Sequence, residues 1–141
     1  MAITQCATTS FKSEMVQAIH NLAAAGDTIK IALYTSSATL DATTTVYTAT
    51  NEVTGTNYTA GGNTLSGQVV NTSGTTAYVD FSDTTWAAST ITARGAMIYN
   101  SSKANRSIII LDFGSDKSSS ASSFVITFPS ADASNAIIRI S

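Results

Sequence analysis

Residues 107–129, SIIILDFGSDKSSSASSFVITFP, constrain the fold of this chain more than any other stretch. The first apolar run, residues 108–113, is almost uninterrupted, which is typical of a strand buried on both faces. The second run, residues 124–128, alternates between apolar and polar side chains, and the serine-rich residues between the two runs favour a turn. The pattern predicts a central β-hairpin on which the rest of the chain packs.

The composition favours an all-β domain. Serine and threonine make up roughly 30% of the chain, and these residues are common in strands and turns. A length of 141 residues with 43% hydrophobic residues suffices for a single domain with a core. We expect a mainly β fold, namely a β-sandwich or partly open barrel of about seven to eight short antiparallel strands with one N-terminal α-helix.

The helix is predicted near the start of the chain. Large apolar side chains recur at helical spacing from Phe11 to Leu22, Ser10 is a suitable N-cap, and Gly26 ends the pattern. These signals predict a helix over residues 11–25. The residues before it, 1–9, have no periodicity and form a predicted arm that orders against a partner or against the flank of its own domain.

The rest of the chain, residues 10–141, is predicted to be a single β-rich domain. Ser73 and Gly74 are a plausible hairpin turn, and Gly95 predicts a bulge or a close approach of another backbone. Residues 52–67 contain several Gly and Asn residues and are predicted to be mostly loop. Besides the central hairpin, strands are expected over residues 28–35, 68–72, 75–81, 90–100 and 136–140, with a further short strand possible at 45–50.

The charge pattern argues against binding to nucleic acid or membrane. Only 11% of residues are charged, the net charge is −2, and the seven basic residues are scattered. No apolar stretch approaches the ~20 residues of a membrane span, and the N-terminal residues lack a Sec-type signal. We expect synthesis in a cytoplasm. Cys6 is the only cysteine, so no internal disulfide is expected.

No constellation of residues predicts a catalytic, metal or cofactor site, and we expect a protein without enzymatic activity. His20 lacks evident partners in the sequence and is interpreted as structural. The Asp80/Asp83 and Asp112/Asp116 pairs would be needed in a cleft for glycoside hydrolysis, but aspartates that cap turns are the simpler explanation. The aromatic residues Tyr47, Tyr58, Tyr78, Trp86 and Tyr99 would suit either a sugar-binding face or the core.

Several phrases of the sequence carry a resemblance to a known family. They are FKSEMVQAIHNL, IKIALYTSSATLDATTTVYTATNEVTGTNYTAGGNTL, ITARGAMIYN, IIILDFGSDKSSSASSFVITFP and AIIRI. In that order the phrases, which run from Phe11 to Ile140, resemble a family of small virion proteins of tailed bacteriophages. The resemblance implies a capsid decoration, or cement, protein that binds the outer head surface, commonly as a homotrimer, with the major capsid protein as its partner.

Under this hypothesis three regions are expected to form contacts in the virion: the arm at residues 3–9, the loop at residues 51–65, and the hairpin tip at residues 115–123. The residues expected at these interfaces are Ile3, Thr4, Gln5, Asn57, Tyr58, Asn63, Lys117 and Ser119. The alternative is a tail, fibre or receptor-binding module of the virion that recognises host-surface glycans through exposed tyrosines or Trp86.

Overall fold

The computed structural model describes residues 2–141 and confirms the mainly β fold with one N-terminal helix in that range. The strands form a five-stranded sheet, ordered β1-β7-β6-β2-β3, and a three-stranded sheet, ordered β4-β5-β8, and all neighbouring strands are antiparallel. The elements are β1 (Cys6–Ala7), α1 (Thr9–Val16), β2 (Ile29–Tyr34), β3 (Asn63–Thr64), β4 (Val69–Ser73), β5 (Thr76–Asp80), β6 (Thr84–Asn100), β7 (Arg106–Ile126) and β8 (Ile138–Ile140).

The two sheets share one hydrophobic core. Ile31 and Leu33 of the larger sheet belong to the same buried cluster as Val79 and Ile138 of the smaller sheet. A second buried cluster covers the opposite face of the larger sheet and contains Tyr34, Met97 and Ile110. The central strands are therefore buried on both faces, which explains why their sequences are apolar at consecutive positions rather than at alternate ones.

The predicted central hairpin is wrong, because the first apolar run and the start of the second, residues 124–126, lie on the single strand β7. Each run pairs with β6 instead of with the other run: Leu111 lies opposite Ala96, and Phe124 lies opposite Trp86. The serine-rich segment between them continues the strand. The strand predicted over residues 90–100 begins earlier, at Thr84, so Trp86 also lies within β6.

Bulges bend the long β6–β7 ribbon on itself. The register shifts between the pairs Ala93–Lys117 and Gly95–Asp112, where β7 has three more residues than β6. It shifts again around Ser89. Gly114 has φ 78° and Ala121 has φ 47°. The segment that was predicted to be a turn therefore contains left-handed residues, and they lie at the irregular positions of the strand. The bend brings the ring centroids of Phe113 and Phe124 to within 6.4 Å, although eleven positions separate them along the chain.

The helix is shorter than predicted. It ends at Val16 because Ala18 has φ 60°, and the amides of Ala18 and Ile19 donate to the carbonyls of Met15 and Glu14 in a Schellman arrangement. Its N-cap is Thr8, whose hydroxyl accepts from the amide of Phe11, rather than the predicted Ser10. Leu22 is still buried, but it reaches the core from an irregular segment.

Two local predictions about glycine are confirmed. Ser73 lies opposite Thr76 across a hairpin at Gly74, as its dipeptide signal indicated. Gly95 sits at a register shift, and a Cβ at that position would overlap the carbonyl oxygen of Leu111 and approach Ile3 Cδ1 at 2.9 Å. Gly95 therefore lets β7 and the N-terminal arm come close to β6.

Candidate functional site

The three regions expected to form contacts all lie along the β6–β7 ribbon. The tip of the 51–65 loop docks on the ribbon, because Thr56 forms an isolated bridge with Thr90. The Asn57 side-chain amide donates to the carbonyls of Ala87 and Ala88, at 3.3 and 2.9 Å. The serine-rich segment forms the neighbouring strand of the same ribbon, so the loop tip and that segment belong to one surface.

A buried carboxylate holds the 51–65 loop in place. Glu52 is 8% exposed and accepts hydrogen bonds from the Tyr47 hydroxyl at 2.6 Å, the Tyr58 hydroxyl at 2.7 Å and the Gly61 amide at 2.8 Å. The Tyr99 hydroxyl donates to the Gly61 carbonyl at 2.7 Å. Residues on both sides of the loop tip are thereby hydrogen-bonded to the Glu52 carboxylate, so the loop is folded before it meets any partner.

The tyrosines around Glu52 are held in their neutral form. Burial raises the pKa of Tyr99 to about 12, and the negative charge of Glu52 adds to the rise. The pKa values of Tyr34, Tyr47 and Tyr58 are also raised, first by burial and then through Glu52 and neighbouring tyrosines. The hydroxyls of Tyr47 and Tyr58 therefore remain donors to Glu52 across the physiological pH range.

Of the five aromatic residues considered for a sugar-binding face, Trp86 and Tyr99 are buried, whereas Tyr47, Tyr58 and Tyr78 are half-buried. Tyr34 is fully buried, Tyr99 is 3% exposed and Trp86 is 4% exposed. The Tyr58 ring stacks on Trp86 at 5.9 Å, and the Tyr47 ring stacks on Tyr99 at 4.8 Å. Trp86 and Tyr99 are thus core residues, and neither is available to a glycan at the surface.

The serine-rich segment offers a polar surface with little free charge. Ser119, one of the predicted contact residues, is 9% exposed, and its hydroxyl lies 2.8 Å from that of Ser89. Lys117 is exposed, as a contact residue must be. Asp116 accepts from Arg94 Nε at 2.8 Å on the same ribbon. The exposed side of the segment therefore presents mainly hydroxyl groups.

The arm packs on its own domain, which is one of the two arrangements expected for it. Cys6 and Ala7 pair with β7, and the amide of Thr4 donates to the carbonyl of Leu40 at 2.9 Å. Ile3, one of the predicted contact residues, is 8% exposed and is buried against its own domain. Gln5 is exposed, and its side-chain oxygen accepts from the amide of Asp112 at 3.1 Å.

The predicted contact residues therefore fall into three groups by exposure. Ile3 and Ser119 are buried. Tyr58 and Asn63 are half-buried, and the Asn63 side chain donates to Thr84 Oγ1 at 3.0 Å and to the Thr85 carbonyl at 3.2 Å. The remaining four are exposed, namely Thr4, Gln5, Asn57 and Lys117.

Three of the four aspartates singled out by the sequence, Asp83, Asp112 and Asp116, accept a hydrogen bond within the fold. Asp83 accepts from the amide of Phe128 and Asp112 accepts from the amide of Gly114, both at 2.9 Å. Asp80 lies in β5 opposite Val69. No group of three or more His, Cys, Asp and Glu side chains within residues 2–141 is arranged to hold a metal ion.

His20 is structural, as predicted, but it has partners that the sequence did not indicate. Its Nε2 lies 3.2 Å from Glu14 Oε1, and Glu14 also pairs with Arg106. The Asn100 amide nitrogen lies 2.9 Å from His20 Nδ1 and 2.8 Å from Asp27 Oδ2. Nδ1 is therefore the acceptor, and the proton on Nε2 faces Glu14.

Asp27 completes this polar network. Burial raises its pKa, but hydrogen bonds from the amide of Asn21 and the side chain of Asn100, together with the charge of Lys103, outweigh that effect and lower the pKa overall. The network ties the segment after α1 to the end of β6. It explains why residues 18–25 leave the helical path.

Sequence reasoning missed Glu52 and the open edges of the two sheets, which are the outer sides of the first and last strand of each sheet. A glutamate inside a glycine-rich loop, with tyrosines on both sides along the chain, was the available signal for Glu52. The open edges had no such signal, because the order of strands in a sheet depends on contacts between distant residues.

Comparison of the chain with protein-family models, with curated proteins and with solved structures found no significant match. Within the described residues, no helix has the length and apolar character required to span a membrane.

Proposed function

We propose that this chain is a non-enzymatic structural protein of a bacteriophage virion, and that it decorates the outer surface of the capsid by binding the major capsid protein. The resemblance of its sequence phrases to small virion proteins of tailed phages gives the class. The observation that carries the proposal is the convergence of the loop tip and the serine-rich segment on one surface of the β6–β7 ribbon. In this proposal that surface faces the capsid.

The physical character of this surface supports such a role. The loop tip is held by Glu52 before binding, so little conformational entropy is lost when it meets a partner. The exposed side chains are mostly hydroxyls, and Arg94 and Asp116 neutralise each other. A weakly charged surface allows many copies to sit close together without strong repulsion.

The mechanism is mass action through repeated weak interfaces. A subunit that contacts neighbouring capsid proteins binds the assembled shell and not the separate proteins, so it stabilises the shell by its binding free energy. Many copies, each with a modest affinity, add up over the particle. Assembly as a homotrimer, which the resemblance implies, would multiply the contacts of each bound unit.

The test is reconstitution on capsids that lack this protein. Purified protein is added to such capsids, and the bound copies and the temperature of DNA release are measured. The proposal predicts saturable binding and a higher release temperature. An Asn57→Ala, Lys117→Ala double variant is expected to bind less, whereas Val70→Thr, an exposed control in β4 of the other sheet, is expected to bind normally.

Two results would contradict the proposal. One is the absence of binding to the capsid shell by protein that is folded. The other is binding only to purified tails, or to host-cell glycans, which would support the receptor-binding alternative.

A further inference from the structure

A cavity of about 720 Å³ lies where the two sheets fail to close on each other. We call it the edge slot. It is lined by β1 at residues 6–7, by β8 at residues 138–140 and by α1, among others. β1 is the last strand of the five-stranded sheet, and β8 is the last strand of the three-stranded sheet. Two sheet edges therefore border one opening.

The outer side of β8 has no strand partner. β8 pairs through Ile138 and Arg139 with β5 on one side, and no strand within residues 2–141 pairs with its other side. An open edge presents backbone N–H and C=O groups that can accept a further strand. Proteins usually cover such edges, keep them short, or protect them with proline or charged side chains. β8 contains no proline, and its protection is limited to its length of three residues and the charge of Arg139.

The slot is apolar at its base and at its rim. Phe11 and Ile138 are buried and line the base. At the rim, Val16 is 89% exposed and Ile140 is 57% exposed, which makes them the two most exposed large hydrophobic side chains in the described part of the chain. Exposed apolar side chains that gather beside an open strand edge are typical of a binding surface.

The charged side chains of the slot have one sign. Lys12 and Arg139 line it together with Ser141, the last residue of the sequence, and no aspartate or glutamate side chain does. Neither cation has a salt-bridge partner within 4 Å among residues 2–141. The slot therefore favours a partner that carries a carboxylate.

We propose that the edge slot binds an extended segment of another protein, which adds to β8 as an antiparallel strand. Its alternate apolar side chains would enter the slot, and a carboxylate on it would lie near Lys12 and Arg139. The occupant comes from another protein because the edge strands of this chain, β1, β3, β4 and β8, carry no aspartate or glutamate that could meet Lys12 and Arg139. This inference concerns the isolated protein and does not depend on the proposed capsid role.

The test uses synthetic peptides and the isolated protein. The first probe is a capped peptide of about seven residues, an ordinary strand length, that alternates valine with threonine and carries one central glutamate. A second probe has lysine in place of glutamate, and a third has proline in place of the valine next to it. Binding is measured by calorimetry, and amide hydrogen exchange is measured for Ile138, Arg139 and Ile140.

We expect the glutamate peptide to bind saturably and to slow exchange of the β8 amides. The lysine peptide should bind about tenfold more weakly, because it meets two cations. The proline peptide should give no protection, because it lacks a backbone donor. The double variant Lys12→Glu, Arg139→Glu should reverse the preference between the first two peptides, whereas Lys117→Glu, a matched reversal outside the slot, should leave it unchanged.

The proposal is overturned if the glutamate peptide does not bind saturably, if protection appears on β7 rather than on β8, or if the double reversal leaves the peptide preference unchanged. If that variant does not fold, Val16→Arg replaces it, because an 89% exposed position tolerates substitution. Val16→Arg should strengthen binding of the glutamate peptide relative to the lysine peptide, and equal effects on both would also overturn the proposal.

Discussion

Removal of the Glu52 carboxylate should destabilise the protein strongly. Glu52→Ala removes the acceptor of three hydrogen bonds, two from tyrosine hydroxyls and one from the Gly61 amide. A hydrogen bond to a charged group contributes about 1.5 kcal/mol net, and a buried donor left unpaired adds to the loss. We expect the free energy of unfolding to fall by about 4 kcal/mol, which for a chain of this length lowers Tm by about 10–15 °C.

Two further variants make this prediction specific. Glu52→Gln keeps the side-chain size and one acceptor oxygen, so the loss should be only about 1–2 kcal/mol. Thr54→Ala changes an exposed residue of the same loop and should shift stability by no more than about 0.5 kcal/mol. Urea unfolding measures all three, and hydrogen exchange of the loop amides reports where the loss occurs. If Glu52→Ala were within about 1 kcal/mol of the unmodified protein, Glu52 would not be what holds the loop.

Three other predictions follow from local features. Gly62→Ala should lower the free energy of unfolding, measured in urea, by more than about 3 kcal/mol, because Gly62 has φ 73° and a Cβ would overlap the Ile31 carbonyl oxygen. Gly74→Ala, at φ 58° with open space around it, should lower it by only about 1 kcal/mol. Equal losses would refute the steric argument. Ile3→Ala should lower the stability of the isolated protein by about 2–3 kcal/mol, since Ile3 is buried against its own domain; an unchanged stability would mean that the arm does not dock without a partner. The free energy of unfolding should fall as the pH rises from 10 towards 12, because the pKa of Tyr99 is raised to about 12 in the folded protein. The unfolded chain then releases tyrosine protons that the folded protein retains. Full tyrosinate absorbance near pH 10 in folded protein would contradict this.

The sequence predicted those parts of the fold that depend on neighbouring residues. The strand over residues 28–35 and the hairpin at Gly74 were visible because side-chain alternation and turn residues are local signals. The predictions failed where distant contacts decide the structure. A serine-rich segment with a glycine reads as a turn, but pairing with β6 makes it a bent strand.

The helix shows the same limit. The apolar spacing from Phe11 to Leu22 is helical, and both of these residues are buried. The chain nevertheless leaves the helix at Ala18, because His20 is placed by contacts with Glu14 and Asn100, and Asn100 is eighty residues away in the sequence. The predicted contact residues show the same limit, since Asn57 and Lys117 are exposed, whereas Ser119 faces inward through contacts across the ribbon that the sequence did not indicate.

The capsid role is tested most directly by the copy number of this chain in purified virions, measured by quantitative mass spectrometry against the major capsid protein. A decoration protein that occupies sites across the shell should be present in numbers comparable with the major capsid protein. A handful of copies per particle, or none, would contradict the proposed role, and a handful would favour a tail or receptor-binding component.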